Sequence, residues 1–203
     1  MTIRHALYII IILNCILIIT ACKQPAGGDY KHWSTYNGTK EGLKYSSLSR
    51  IDTSNVQQLT VAWTYHTGDA DTVNHSQMQC NPVVINGTMY GTSPQLKLFA
   101  LDVVTGKARW VFDPLDSSNA PAADFILNNC RGVAYWEEGS DKRIFYTAGS
   151  ELYAINAATG MPVAAFGRNG RINLHEGLDA NAQDLYVTST TPGIIYKDQL
   201  IIG

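Results

Sequence analysis

Charge is scarce in this chain: Lys, Arg, Asp and Glu make up 16% of its 203 residues, against roughly 25% in ordinary soluble domains. With aromatics at 10%, that shortage excludes intrinsic disorder, which needs a strongly charged chain poor in aromatics. It also argues against a helical bundle rich in Glu, Lys and Leu. A net charge of −2 leaves no broad electropositive surface, so no nucleic-acid partner is expected. Cysteine is nearly as sparse, at four residues, and none stands in a Cys-x-x-Cys pair or at zinc spacing from a histidine. His32, His66, His75 and His175 show no metal-ligand spacing. Gly-x-Ser-x-Gly, phosphate-loop and Gly-x-Gly-x-x-Gly motifs are missing, so serine-hydrolase, nucleotide-hydrolase and nicotinamide chemistry lack support. What the chain does have is 17 glycines and 11 tyrosines, the composition of a turn-rich, aromatic, all-β protein.

Beyond the N-terminus no sustained helical periodicity is found. Arg4 and His5 precede an apolar run from Ala6 to Ala21, broken only by Asn14 and Thr20. That run falls short of the about 20 residues needed to cross a bilayer. A basic start, a short apolar stretch and small residues at its end describe a secretory signal over residues 1–21. Its last residues, Ile19-Thr20-Ala21-Cys22, resemble the bacterial lipobox, which implies cleavage before Cys22 and acylation of that cysteine. The alternative is an uncleaved anchor, and both place the remainder outside the cytoplasm, on the periplasmic side and tied to a membrane. Residues 22–29 read as a polar Gly/Pro tether. With Cys15 and Cys22 so assigned, Cys80 and Cys130 remain, and in an oxidising compartment they can form a disulfide or stay as two separate thiols.

Self-comparison organises the rest. Leu98-Phe99-Ala100-Leu101-Asp102 through Thr105-Gly106-Lys107 returns as Leu152-Tyr153-Ala154-Ile155-Asn156 through Thr159-Gly160-Met161, a displacement that carries Ala100 to Ala154. Both copies continue to an aromatic at the same distance, Phe112 and Phe166. Pro82 to Gly91 is echoed by Pro192 to Gly203. Apolar stretches bounded by turn residues read as short strands. Asn86-Gly87 marks a two-residue hairpin. Asp102-x-x-Thr105-Gly106 is a second turn, opened by a carboxylate bonding back to the backbone and closed by a glycine. Trp110 and Phe112 follow on the next strand, where they fill the space between neighbouring sheets. Four strands in about 50 residues are one blade of a β-propeller. In the second copy Ala164 stands where the first has Trp110, so that blade must pack differently. Residues 113–130 read as a long loop. Asn37-Gly38-Thr39, Asn74-His75-Ser76 and Asn86-Gly87-Thr88 fit the glycosylation pattern but read as turns.

The Leu-x-Ala-Leu-Asp-x-x-Thr-Gly-Lys-x-x-Trp run at 98–110 resembles the tryptophan-docking repeat of quinoprotein dehydrogenases, eight-bladed propellers that use pyrroloquinoline quinone (PQQ). Non-catalytic propellers, such as a scaffold lipoprotein of the envelope, carry similar repeats and are the alternative. Further stretches are similar to the dehydrogenases, above all the glucose branch: Trp33-x-x-Tyr36-x-Gly38, Lys44-Tyr45-Ser46, Ala62-Trp63, Gln79-Cys80-Asn81-Pro82, Cys130-Arg131-Gly132-Val133-Ala134-Tyr135-Trp136, Phe166-Gly167-x-x-Gly170-Arg171, and Thr188-Ser189-Thr190-Thr191-Pro192. A scaffold needs neither the long loop nor the Cys130-Arg131-Gly132 run.

The resemblance implies that residues 30–203 are the N-terminal part of such a propeller, with only its first two to three blades. It places Gln79, Arg131 and Thr190 (with Thr191 as the register alternative) against the PQQ carboxylates. PQQ is a planar tricarboxylate, which suits a planar bidentate cation and neutral donors. It implies calcium as the second cofactor, with calcium ligands and the catalytic carboxylate in later blades, so no catalytic or metal residue is assigned here. Asp102 and Asp113 belong to turns. The implied reaction is oxidation of a sugar or alcohol hydroxyl, with electrons passed to a membrane quinone or a cytochrome. Cys80 and Cys130 each neighbour a proposed cofactor residue, which makes a bridge between blades beside the cofactor an expectation. Trp136 is expected to fill a blade interior, with stacking near the site as the alternative.

Overall fold

The computed structural model describes residues 32–73, 76–116, 129–179, 181 and 185–203. The signal segment, Cys22, the tether and most of the 113–130 loop lie outside the described residues. Among the described residues ten strands form two four-stranded sheets and one hairpin, joined by antiparallel pairing of sequence neighbours. The first sheet contains β1 (Val83–Ile85), β2 (Thr88–Thr92), β3 (Leu98–Asp102) and β4 (Ala108–Phe112) in that order. The second contains β5 (Ala134–Glu138), β6 (Asp141–Ala148), β7 (Glu151–Asn156) and β8 (Arg171–Asn173). The hairpin pairs β9 (Ile194–Tyr196) with β10 (Gln199–Ile201). One 3-10 turn, Val56–Gln58, precedes them. No helix among the described residues is long and apolar enough to cross a membrane.

The turns explain the sheet order. Asn86 and Gly87 both have positive φ, 48° and 75°, as a primed hairpin turn requires. At the repeated turn Asp102 Oδ1 accepts the N–H groups of Val104 and Thr105 at 3.1 and 3.0 Å and the Thr105 hydroxyl at 3.0 Å. In the second copy Asn156 Oδ1 accepts the equivalent three, from Ala158 and Thr159, at 3.0, 3.0 and 3.2 Å. A carboxylate and an amide serve equally because each offers one acceptor oxygen at the same place.

Each sheet buries both faces, which is why β3 and β7 read as near-continuous apolar runs. Strand geometry sends alternate residues to opposite sides. Leu98 and Ala100 of β3 therefore meet Ile144, Tyr146 and Ala148 of β6 and Tyr153 and Ile155 of β7 in one core between the sheets. Phe145, Leu152 and Ala154 face the other way and pack with Phe166 of the same blade and with Ile195, Leu200 and Ile202 of the next unit. Sheets stacked face to face in sequence order are the blades of a propeller.

Tryptophans lock successive blades. Trp63 lies over the first repeated turn and donates its indole N–H to the Val103 carbonyl at 3.1 Å. Trp110 of β4 lies over the second and donates to the Ala157 carbonyl at 3.1 Å. Both rings approach so closely that a Cβ added at Gly106 or Gly160 would sit 2.5 or 2.7 Å from indole carbon. The glycine of each Thr-Gly pair is needed twice, for its positive φ and for the ring above it.

The outer strand of the second sheet departs from simple repetition. Pro162 makes an isolated bridge to Ile155, and Val163 N–H reaches the Ala154 carbonyl at 2.8 Å. The chain then loops through Gly167, Asn169 and Gly170, all at positive φ, and rejoins β7 as β8, with Arg171 opposite Tyr153. Proline has no N–H for the ladder, and three left-handed residues turn the chain out of the sheet. Phe166 keeps its interior place, 5.4 Å from Phe145 ring to ring. Trp136 also packs in this layer, with the Arg143 guanidinium 5.2 Å over its ring.

Candidate functional site

The segments carrying Gln79, Arg131 and Thr190 lead into the innermost strands β1 and β5 and the hairpin β9–β10. The fold puts them side by side. Asn81 N–H donates to the Arg131 carbonyl at 2.9 Å, and Arg131 N–H donates to the Thr190 carbonyl at 2.8 Å. Asn81 and Gly132 form a parallel bridge. Residues fifty and fifty-nine positions apart thus become lateral neighbours at one end of the inner strands. A cavity of about 470 Å³ lies towards the opposite ends, lined by Tyr36, Lys40, Asn86, Glu137 and Lys197, and contains none of the three.

Close approach of these segments depends on Gly132. A Cβ there would lie 3.1 to 3.2 Å from the Tyr36 ring, the Asn81 carbonyl oxygen and the Pro192 ring. Behind Thr190, the Thr147 hydroxyl of β6 donates to the Ser189 carbonyl, and the Thr188 hydroxyl donates to the Gly149 carbonyl at 2.8 Å. Ser189 itself donates to the Gly203 carbonyl at 2.9 Å. These bonds pin the backbone just ahead of Thr190. Thr191, the register alternative, is exposed and turned towards the Gly203 carbonyl at 3.5 Å.

The side chains at the edge differ in character. Arg131 is exposed and makes no ion pair with another described residue. The half-buried Gln79 donates its amide to Gln77 Oε1 at 2.8 Å. A guanidinium, an amide and a hydroxyl carried by three adjacent backbone segments are donor types suited to carboxylates on a flat ligand. That fits a tricarboxylate quinone. No group of three or more His, Cys, Asp or Glu side chains able to hold a metal occurs among the described residues.

Comparison with known proteins identifies the family and the fold. The family described as "Glucose/ethanol/alcohol dehydrogenase, beta-propeller domain", a PQQ family, matches residues 33–203. The chain belongs to the PQQ-dependent dehydrogenase propeller family. It is 32% identical over 193 residues to quinoprotein glucose dehydrogenase A of Acinetobacter calcoaceticus, across 84% of this chain and 24% of that protein. It is 37% identical over 134 residues to the dehydrogenase subunit of a quinone-linked alcohol dehydrogenase of Gluconobacter oxydans, across 66% of this chain and 17% of that one. The crystal structure of quinohemoprotein alcohol dehydrogenase from Comamonas testosteroni superposes with a TM-score of 0.68 at 26% identity, over 89% of this chain and 24% of that chain. The chain spans about a quarter of the length of the first curated relatives it matches.

Sequence reasoning missed several supports of this PQQ-family edge. Asp69, only 8% exposed, accepts the Ser93 hydroxyl at 2.5 Å, tying the segment before Gln79 to the loop after β2. Thr147 and Thr92 reach the site from the middle strands. None belongs to a motif, and a threonine in a strand carries no signal of its partner.

Proposed function

We propose that this chain is the N-terminal part of an exported PQQ-dependent dehydrogenase that oxidises a hydroxyl of a sugar, glucose-like, or of an alcohol. The observation that carries this reading is the pair of backbone hydrogen bonds aligning the Gln79, Arg131 and Thr190 segments. In it Arg131 holds one PQQ carboxylate as a bidentate donor, and Gln79 and Thr190 complete the set with neutral donors. The bound quinone supplies two-electron oxidation of the substrate hydroxyl. These residues bind and orient it, and they leave the base and the calcium ligands to parts of the protein beyond the described residues. Electrons then pass to a membrane quinone or a cytochrome. Export through the 1–21 signal, acylation at Cys22 and the 22–29 tether belong to the same reading and place the enzyme on the periplasmic side of a membrane.

The test is reconstitution of the full-length protein with PQQ and calcium, followed by dye reduction with a panel of sugars and alcohols. Arg131→Lys keeps the charge and loses the fork, and it is expected to weaken PQQ binding at least about tenfold, the equivalent of about 1.4 kcal/mol. PQQ affinity measured by fluorescence quenching, unchanged in both Arg131→Lys and Arg131→Ala, would remove Arg131 from the cradle. A full-length protein that binds no PQQ would favour the scaffold reading.

A further inference from the structure

Cys80 and Cys130 take no part in the cradle, yet they lie beside it, and both are free thiols in this structure. Cys80 is half-buried in the segment leading into β1, and Cys130 is 4% exposed just ahead of Arg131. The Asn81–Gly132 bridge and the bond from Asn81 N–H to the Arg131 carbonyl set their backbones on neighbouring inner strands of different blades. Asn81 stands opposite Gly132, so Cys80 stands opposite Arg131, one residue along from Cys130; paired strands run about 4.7–4.9 Å apart, and a disulfide joins Cα atoms about 4.4–6.8 Å apart.

Thr92 lies against both sulfurs. Its backbone N–H donates to Cys80 Sγ at 3.3 Å, and its side chain opposes the upward shift that burial imposes on each thiol. The two thiols sense one another. Burial first, and then the neighbouring Cys80, push the Cys130 thiol up to about 11. Cys130 also donates to the Gly132 carbonyl at 3.1 Å. Burial raises Cys80 as well, with the Thr92 hydrogen bonds opposing it.

We propose that Cys80 and Cys130 are a dithiol pair that closes to a disulfide between the first two blades, Cys80 attacking and Cys130 resolving. The oxidant is a disulfide, R–S–S–R, of a small thiol or of a thiol-oxidising protein. The Cys80 thiol loses its proton to solvent and its sulfur attacks one sulfur of the oxidant. That breaks the oxidant's S–S bond, releases one R–S⁻ and leaves a mixed disulfide on Cys80. Cys130 then loses its proton and attacks Cys80 Sγ, expelling the second R–S⁻. Two cysteines are oxidised by two electrons, and the oxidant is reduced to two thiols. The order follows from access, because Cys130 lies behind the strand and Cys80 is partly open. The bond would fasten the strands bearing Gln79 and Arg131 at a fixed separation.

The experiment uses the full-length protein, folded, exposed to oxidised glutathione, alkylated, digested and mapped by mass spectrometry. The expected result is a reductant-sensitive cross-link between the peptides holding Cys80 and Cys130. Cys130→Ser is expected to trap glutathione on Cys80, whereas Cys80→Ser leaves Cys130 unmodified. Both thiols staying fully alkylatable in the folded wild type would overturn the pairing, as would a bridge from either to Cys15 or Cys22. Glutathione on Cys130 in Cys80→Ser at the rate seen on Cys80 would overturn the assigned order. The wild-type map requires no variant to fold, and it reads the bridge independently of PQQ binding or turnover.

Discussion

Replacing Gly160 with alanine tests the docking of one blade on the next. Gly160 has φ of +74°, and an added Cβ would meet the Trp110 ring at 2.7 Å. The left-handed backbone alone costs an alanine about 1–2 kcal/mol. Displacing Trp110 adds the loss of its hydrogen bond to Ala157, about 0.5–1.5 kcal/mol, and part of the packing of an indole, so the total is about 2–4 kcal/mol. Gly87 is the internal control, since its φ is +75° and nothing lies within 4 Å of its added Cβ. Gly87→Ala should therefore cost only the backbone share. Urea unfolding of the complete protein, followed by circular dichroism, gives both values. A double-mutant cycle with Trp110→Ala isolates the contact, and in that background Gly160→Ala should fall to the Gly87→Ala cost. Equal costs for Gly160→Ala and Gly87→Ala in the wild-type background would refute the docking argument.

Asp102 makes a pH prediction. The Arg109 guanidinium at 2.7 Å, with the Thr105 backbone and hydroxyl behind it, holds its carboxyl down at about 2. A depressed folded-state value contributes stability above the ordinary carboxylate range that is lost as pH falls towards about 2. Asp102→Asn retains the turn, as Asn156 does in the second blade, and should flatten the acid limb of a stability–pH curve; an unaltered limb would remove Asp102 as its source. Thr147→Val deletes the hydroxyl that donates to the buried Ser189 carbonyl, which should cost about 1–3 kcal/mol for the unsatisfied group and weaken PQQ binding through Thr190. A destabilised variant with unchanged PQQ affinity would show that the clamp does not position Thr190. Gly132→Ala, with three contacts of 3.1 to 3.2 Å awaiting its methyl, should lower both stability and PQQ affinity, read by the same two assays.

The blade unit was legible in the chain because its determinants are local. Asn86-Gly87 makes its hairpin with whichever strands flank it, and Asp102 or Asn156 organises its turn through neighbours two and three residues away. The outer strand of the second blade was less legible. Counting from Gly160 predicts a strand reaching Phe166, but Pro162 and the Gly167 to Gly170 turn postpone it to Arg171–Asn173. Composition and repetition also indicated an all-β propeller, whereas the donor set at Gln79, Arg131 and Thr190 was implied only by the family resemblance. Their juxtaposition lies beyond local reasoning, since the Arg131 backbone bonds to Asn81 and to Thr190, partners fifty and fifty-nine residues away.

The sequence by itself therefore determined the turns, the strands and the family to which they belong, all governed by contacts a few residues apart. Tertiary structure alone decided that Trp63 and Trp110 lie on the glycines of the following blade, that Thr147 supports Ser189, and that Cys80 and Cys130 share Thr92. Such contacts arise only when sheets stack and inner strands align, and that alignment is set by the summed packing of both faces of each blade.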